Sequence, residues 1–307
     1  MIGTLILAAN AREAVDQIVR AERHGVPAAW ATMFGAGGGD MIPVFAAAAS
    51  HTTDIKLGTA IVHTWGRHPV ALAQEAIVLD QLSNGRFRLG IGSTTKFYVE
   101  RLYGAVYEKP LTNLREYLIT LRALLGEGSA EFEGEFVRTH ARLGTKSAVP
   151  VMGAALGTRS FELCGEMSDG AISWMCPQRY LVDTAMPALQ VGADRAGRAR
   201  PPLVAHVPIA VNVDRDEAHA LAREQLSMYA KVPNYQRMFA QAGHTIVSEY
   251  TPEVLDDLVV YGSGEQVAAG LRRWRSAGMD EIIAHPLVRN EAQREASFDA
   301  IAQAGRD

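Results

Sequence analysis

Five consecutive residues carry the clearest chemical signal in the chain: Ala154, Ala155, Leu156, Gly157 and Thr158. They close a short apolar run and open an amphipathic one, as a strand does when it turns into a helix. The first amides of a helix have no partner inside it, and the helix dipole adds positive potential there. Such a turn can therefore bind an anion such as phosphate. Gly157 lets a ligand approach the backbone, the Thr158 hydroxyl can donate, and Arg159 either adds charge or is simply solvated. The same segment also suits an ordinary turn in which Thr158 caps the helix. A second signal is His63, beside Trp65 and near Arg67 and His68. An imidazole titrating near neutrality is a natural proton donor, and a loop histidine bonded to backbone is the plainer alternative. His68, directly before Pro69, reads as structural.

Lys96 and Tyr98 follow Ser93 in a long loop over residues 93–110. They either face a ligand or are a solvated lysine and a packing tyrosine. Ser173 and Trp174 end another apolar run, followed by Met175 and Cys176, and form either an apolar wall of a site or core. His206 and His285 fall in or just after apolar runs and read as core or mouth. Cys164 sits in a helical pattern, and no His or Cys neighbour marks Cys176 as a nucleophile or ligand. No H-x-x-H, C-x-x-C or carboxylate cluster has ligand spacing, so no metal is expected.

These residues need a scaffold, and the pattern of the chain supplies one. Short apolar runs over residues 3–9, 27–32, 55–62, 86–92, 149–155, 170–174, 203–213 and 281–284 alternate with amphipathic segments. The helices are expected around 11–24, 40–51, 69–82, 111–125, 158–167, 180–196, 216–229 and 263–277. Asp40 is a candidate N-cap, Pro69 suits a first turn, and Gly25 and Gly278 suit helix stops. Strand–helix alternation argues for a parallel sheet, and about eight units argue for closure into a (β/α)8 TIM barrel. A doubly wound sheet would want G-x-G-x-x-G after an early strand; the glycines at 35–39 have the wrong spacing and follow the second strand. One domain over 1–307 is expected, with insertions at about 130–147, read as a hairpin around Gly134, and at 231–262.

Composition narrows the function. The formal net charge of −4 gives no basic footprint for nucleic acid or an anionic membrane surface. Two cysteines imply no disulfide framework, which makes a reducing cytoplasm the expected location. No apolar run approaches the roughly 18 residues of a membrane span.

Residues 56–92, KLGTAIVHTWGRHPVALAQEAIVLDQLSNGRFRLGIG, resemble the luciferase-like monooxygenase superfamily: a strand, a loop ending in R-H-P, a helix, S-x-G-R and a strand ending in G-x-G. Residues 110–125, 149–172 and 261–283 extend the resemblance over most of the chain. Its nearest likeness is the branch that uses coenzyme F420, a deazaflavin; the branch that uses FMN shares the fold and most motifs.

The resemblance implies an oxidoreductase with a small-molecule substrate, and a homodimer. Three readings follow: an F420-dependent hydride-transfer enzyme, an FMN-dependent monooxygenase using molecular oxygen, or a barrel that binds cofactor without turnover. It implies that residues 154–158 hold the cofactor phosphate. It also implies that Ala60, Ile61 and Val62 back the ring, with a non-proline cis peptide at Ala60–Ile61. Met33 and Ser93 at strand ends, and Ser173 and Trp174 over the ring, complete the expected cofactor site. His63 and Tyr98 are the catalytic candidates, and Lys96 or Tyr98 would line the substrate pocket or meet the acidic tail of F420. Many F420 enzymes of this superfamily carry an acid and a histidine after the second strand; here the residues are Thr32, Met33, Phe34 and Gly35.

Overall fold

Each apolar run expected to be a barrel strand is one in the computed structural model, which describes residues 1–306. The strands are Ile2–Ala8, Ala28–Ala36, Lys56–Thr59, Phe87–Gly92, Val151–Ala154, Ala171–Ser173, Leu203–Val211 and Glu281–Pro286. Each pairs in parallel with its successor, and the eighth returns to the first through Ile2↔Ile282 and Thr4↔Ala284, closing the barrel. Among the described residues, two short strands join this sheet. Val62–His63 continues beside the fourth strand, and Val260–Gly262 adds to the end of the seventh.

Strand alternation divides the interior in two. One set of side chains, including Leu5, Trp30, Ala60, Met152, Ile172, Val204 and Ile283, fills the barrel. The other, larger set packs strands against the outer helices. At one level of the barrel Arg88 stacks 4.2 Å over the Trp30 ring and pairs with Glu281 at 2.6 Å, while Trp30 Nε1 donates to the same carboxylate. A buried charge pair is tolerated because it is hydrogen-bonded on both sides.

The helix signals act as expected. The Asp40 carboxylate accepts from the Ile42 amide, His68 Nδ1 accepts from Val70, and Gly25 takes a left-handed φ of 83° after the first helix. Residues 129–142 form the anticipated hairpin, Ser129–Glu133 against Arg138–Arg142. Buried Glu116 holds it by accepting the amides of Glu135, Phe136 and Val137.

Two expectations need correction, and the second insertion gains detail. The stretch 93–110 is not all loop: Lys96–Leu102 is helical. The helix expected over 180–196 begins at Gln178, passes through a π turn at Leu181–Ala185 and resumes at Met186–Arg195. Pro187 lacks an N–H, and a wider turn just before it absorbs the missing bond. The second insertion carries two helices, Pro233–Gln241 and Pro252–Leu258. No helix among the described residues is long and apolar enough to cross a membrane.

Candidate active site

The third barrel strand stops at Thr59 and pairing resumes at Val62, so Ala60 and Ile61 lie between two paired stretches. The Ala60–Ile61 peptide bond is cis, at the position the resemblance implied. The Thr59 hydroxyl donates to the Gly90 carbonyl and accepts from the Gly90 amide, both at 2.8 Å. Gly90 permits this approach, because a Cβ there would lie 2.1 Å from the Thr59 carbonyl oxygen.

This interruption forms one wall of a cavity of about 1060 Å³ at the C-terminal ends of the strands. That is the end of a (β/α)8 barrel where active sites lie. Met33, Ala60, Ile61, His63, Ser93, Tyr98, Ala154, Ala155, Leu156, Gly157, Thr158 and Trp174 all line it, so the structure brings together residues more than a hundred positions apart. Val62 and Ser173 do not line it. Both are buried, Val62 in the outer packing layer, and the Ser173 hydroxyl donates to the Val204 carbonyl at 3.2 Å. The physical reason is alternation: Ile172 and Trp174 face inward, so Ser173 between them faces outward. Lys96 also lies outside the lining, paired with Glu100 on its own helix.

At the strand-to-helix turn over residues 154–158, Gly157 is the N-cap and Thr158 the first helical residue. The Ser160 hydroxyl accepts from the amides of Leu156 and Gly157 and donates to the Gly157 carbonyl at 2.6 Å. The Tyr180 hydroxyl donates to the Leu156 carbonyl at 2.8 Å. These bonds shape the loop and leave the amides of Thr158 and Arg159 without a partner among the described residues. Ser160 and Tyr180 were not anticipated. The spacing of Ser160 from the N-cap was a readable signal; the reach of Tyr180 was not.

His63 stands in an aromatic group. Its ring centroid lies 5.7 Å from Phe34, 6.0 Å from Tyr98 and 5.9 Å from Tyr103, and Phe34 stacks on Tyr98. His63 Nδ1 is 3.0 Å from the Tyr103 hydroxyl. Burial lowers the His63 pKa to about 4 and raises that of Tyr103. The imidazole is therefore neutral at pH 7, and the premise of a near-neutral titration does not hold. The Tyr103 hydroxyl can donate to Nδ1 or accept from it; in the first arrangement the single imidazole proton resides on Nε2.

Behind the opposite wall, Trp174 stacks on His206 with centroids 3.7 Å apart. The Met175 amide donates to His206 Nδ1 at 3.4 Å, which places the His206 proton on Nε2, facing His285 Nδ1 at 2.9 Å. Burial pushes both histidines well down, His285 to about 3. Both are fixed neutral supports beneath Trp174. Cys176 lies in the same wall, its thiol pushed up to about 12 by burial, and is no nucleophile.

The luciferase-like monooxygenase profile matches residues 2–281. The chain belongs to that family. Membership makes it an oxidoreductase. An uncharacterized protein of Mycobacterium tuberculosis is 31% identical over 249 residues, covering 75% of this chain and 72% of that one. A 5,10-methylenetetrahydromethanopterin reductase of Archaeoglobus fulgidus is 26% identical over 262 residues, covering 77% and 78%. Among solved structures, an F420-dependent secondary alcohol dehydrogenase in complex with an F420-acetone adduct superposes with a TM-score of 0.83 at 19% identity, over 100% of both chains. At that identity the likeness concerns the fold.

Proposed function

We propose that this protein is an F420-dependent oxidoreductase that moves a hydride between the deazaflavin and a small organic substrate. One observation carries the reading. A single cavity joins helix-start amides that have no partner among the described residues, the Ala60–Ile61 wall and a neutral imidazole. Its volume of about 1060 Å³ accommodates a tricyclic ring with a phosphate-bearing side chain and leaves room for a substrate.

When bound, the deazaflavin supplies the two-electron hydride chemistry. The chain supplies position and polarity. The Thr158 and Arg159 amides, with the Thr158 hydroxyl and the Arg159 guanidinium, hold the phosphate. Ala60 and Ile61 flank one side of the ring, and Met33 and Trp174 limit its movement. Phe34, Tyr98 and Tyr229 line an aromatic enclosure that excludes water from the reacting atoms. His63 donates a hydrogen bond from Nε2 to a substrate oxygen. With a pKa of about 4 it is neutral at pH 7, so it orients and polarises that oxygen rather than serving as a reservoir of protons. In that arrangement the Tyr103 hydroxyl donates to Nδ1 and leaves the proton on Nε2.

The test is cofactor choice. The purified protein is titrated with F420 and with FMN, following ring fluorescence. Saturable F420 binding, and oxidation of reduced F420 by a panel of small carbonyl substrates, is the expected result. Tight FMN binding with none for F420 would overturn it and favour an oxygen-using FMN enzyme. Binding of F420 with no substrate turned over would leave a cofactor-binding barrel instead.

A further inference from the structure

The charge around the cavity is one-sided. Arg159, Lys231 and Arg237 line it, and among the described residues no Asp or Glu does. The whole chain has 34 acidic and 30 basic side chains, so an even draw would have put carboxylates on this lining as well. None of these three cations has a carboxylate partner among the described residues; Arg237 donates only to the Asn234 side chain. Elsewhere long cationic side chains are commonly paired, as Arg115 is with Glu166, Arg200 with Asp280 and Arg215 with Asp256.

The cations sit on two separate elements. Arg159 is in the first turn of the helix Thr158–Met167, beside the free amides assigned above to the phosphate. Lys231 follows the helix Arg215–Ala230 and Arg237 lies on Pro233–Gln241, both in the second insertion. That insertion is anchored. Tyr235, Met238 and Phe239 are buried, Tyr235 lies 5.1 Å from Tyr229, and Phe239 lies 5.8 Å from Tyr250. Fixed cations facing a cavity without counter-charges raise the local potential for an anion with more than one charged group.

We infer that Lys231 and Arg237 bind a flexible chain of carboxylates that leaves the phosphate at Arg159, namely the acidic tail of the deazaflavin. This rests on the F420 reading above. It assigns the second insertion a role in selecting the cofactor: FMN ends at its phosphate and has nothing to offer these two side chains. Because both are exposed, each contact is modest and salt-sensitive, so the tail should add roughly threefold to tenfold in affinity at low ionic strength.

The experiment compares wild type with the double variant K231E/R237E. Each is titrated with F420 carrying several glutamates, with F420 lacking them, and with FMN, at low and high salt. Circular dichroism and thermal melting check that the variant is folded. Wild type should bind the long-tailed form threefold to tenfold tighter than the tail-less one, with the margin gone at high salt and gone or reversed in the variant. Tail-less affinity should match in the two proteins. Equal affinity for both forms in wild type would overturn the inference while leaving the F420 reading intact. So would a variant that weakens both forms equally. If neither F420 form binds and FMN does, the F420 reading falls and the tail site with it.

Discussion

Replacing Gly157 with Asp should separate folding from binding in opposite directions. Gly157 has an ordinary φ of −97°, and a Cβ built there meets nothing within 4 Å. The substitution therefore neither strains the backbone nor clashes. Asp is also a favoured N-cap residue, and its carboxylate can accept the amide now free at Arg159; relative to a glycine cap this adds roughly a few tenths of a kcal/mol. The fold should be as stable as wild type or slightly more so. Binding should suffer, because the carboxylate takes one of the amides that would hold the phosphate and repels it. Two unit charges about 4 Å apart interact with about 4 kcal/mol at an effective dielectric of 20, and with about 1 kcal/mol in open water. Gly157 is exposed at the rim, so the cost lies between these limits, roughly tenfold to several hundredfold in affinity. Denaturant melts and fluorescence titration with F420 read the two effects separately. An unchanged melt with affinity within twofold of wild type would refute the phosphate assignment. A destabilised variant would refute the claim that the turn has room.

Two further outcomes follow from the imidazoles. His63→Ala should lower kcat by roughly tenfold to a hundredfold and leave cofactor affinity unchanged, since the side chain is assigned to the substrate oxygen. Full turnover would return His63 to a packing role. The second outcome concerns stability against pH. His63, His285 and His206 are held neutral by burial, His63 down to about 4 and His285 to about 3. In the unfolded chain each takes up a proton near pH 6.5, so below that pH the unfolded state binds more protons and stability falls with falling pH. The full contribution is present above about pH 6.5, and the loss from His63 continues until its folded pKa of about 4 is passed. His24 runs the other way: desolvation lowers its pKa, but Asp299 and Glu295 outweigh this and raise it, so its gain is complete by about pH 6.5. Urea melts between pH 6 and 4.5 should therefore show a shallower slope for His63→Gln than for wild type, by about 1.4 kcal/mol per pH unit at most. Identical slopes would show that His63 is charged in the folded protein.

Much of the barrel was legible because its signals are local. Apolar runs of strand length, Asp40 and Pro69 at helix starts and Gly25 after a helix each act through neighbours within a turn or two. The turn over residues 154–158 was legible for the same reason, as an apolar run meeting Gly and Thr. The cis bond and the cofactor came from the resemblance of residues 56–92, not from any feature of Ala60 or Ile61 themselves. Ser173 was misplaced although alternation along its strand was there to be read; Val62 was not readable that way, because it lies two residues from Ala60 yet faces the outer layer across the interruption between Thr59 and Val62.

Other features depend on which distant residues meet. His206 and His285 are 79 positions apart, and their hydrogen bond exists because the seventh and eighth strands pair in register. Tyr180 reaches Leu156 across 24 positions, and Tyr103 reaches His63 across 40. The low pKa of His63 arises only from burial among rings brought in by two separate segments. The cationic side of the cavity likewise comes from elements more than seventy positions apart. The sequence by itself determined the elements and the strand-to-helix turn over residues 154–158, since helix starts and strand runs are set by short-range hydrogen bonding and alternation. Tertiary structure alone decided which side chains share the cavity and how they ionise, because dielectric surroundings and long-range partners exist only once the barrel has closed.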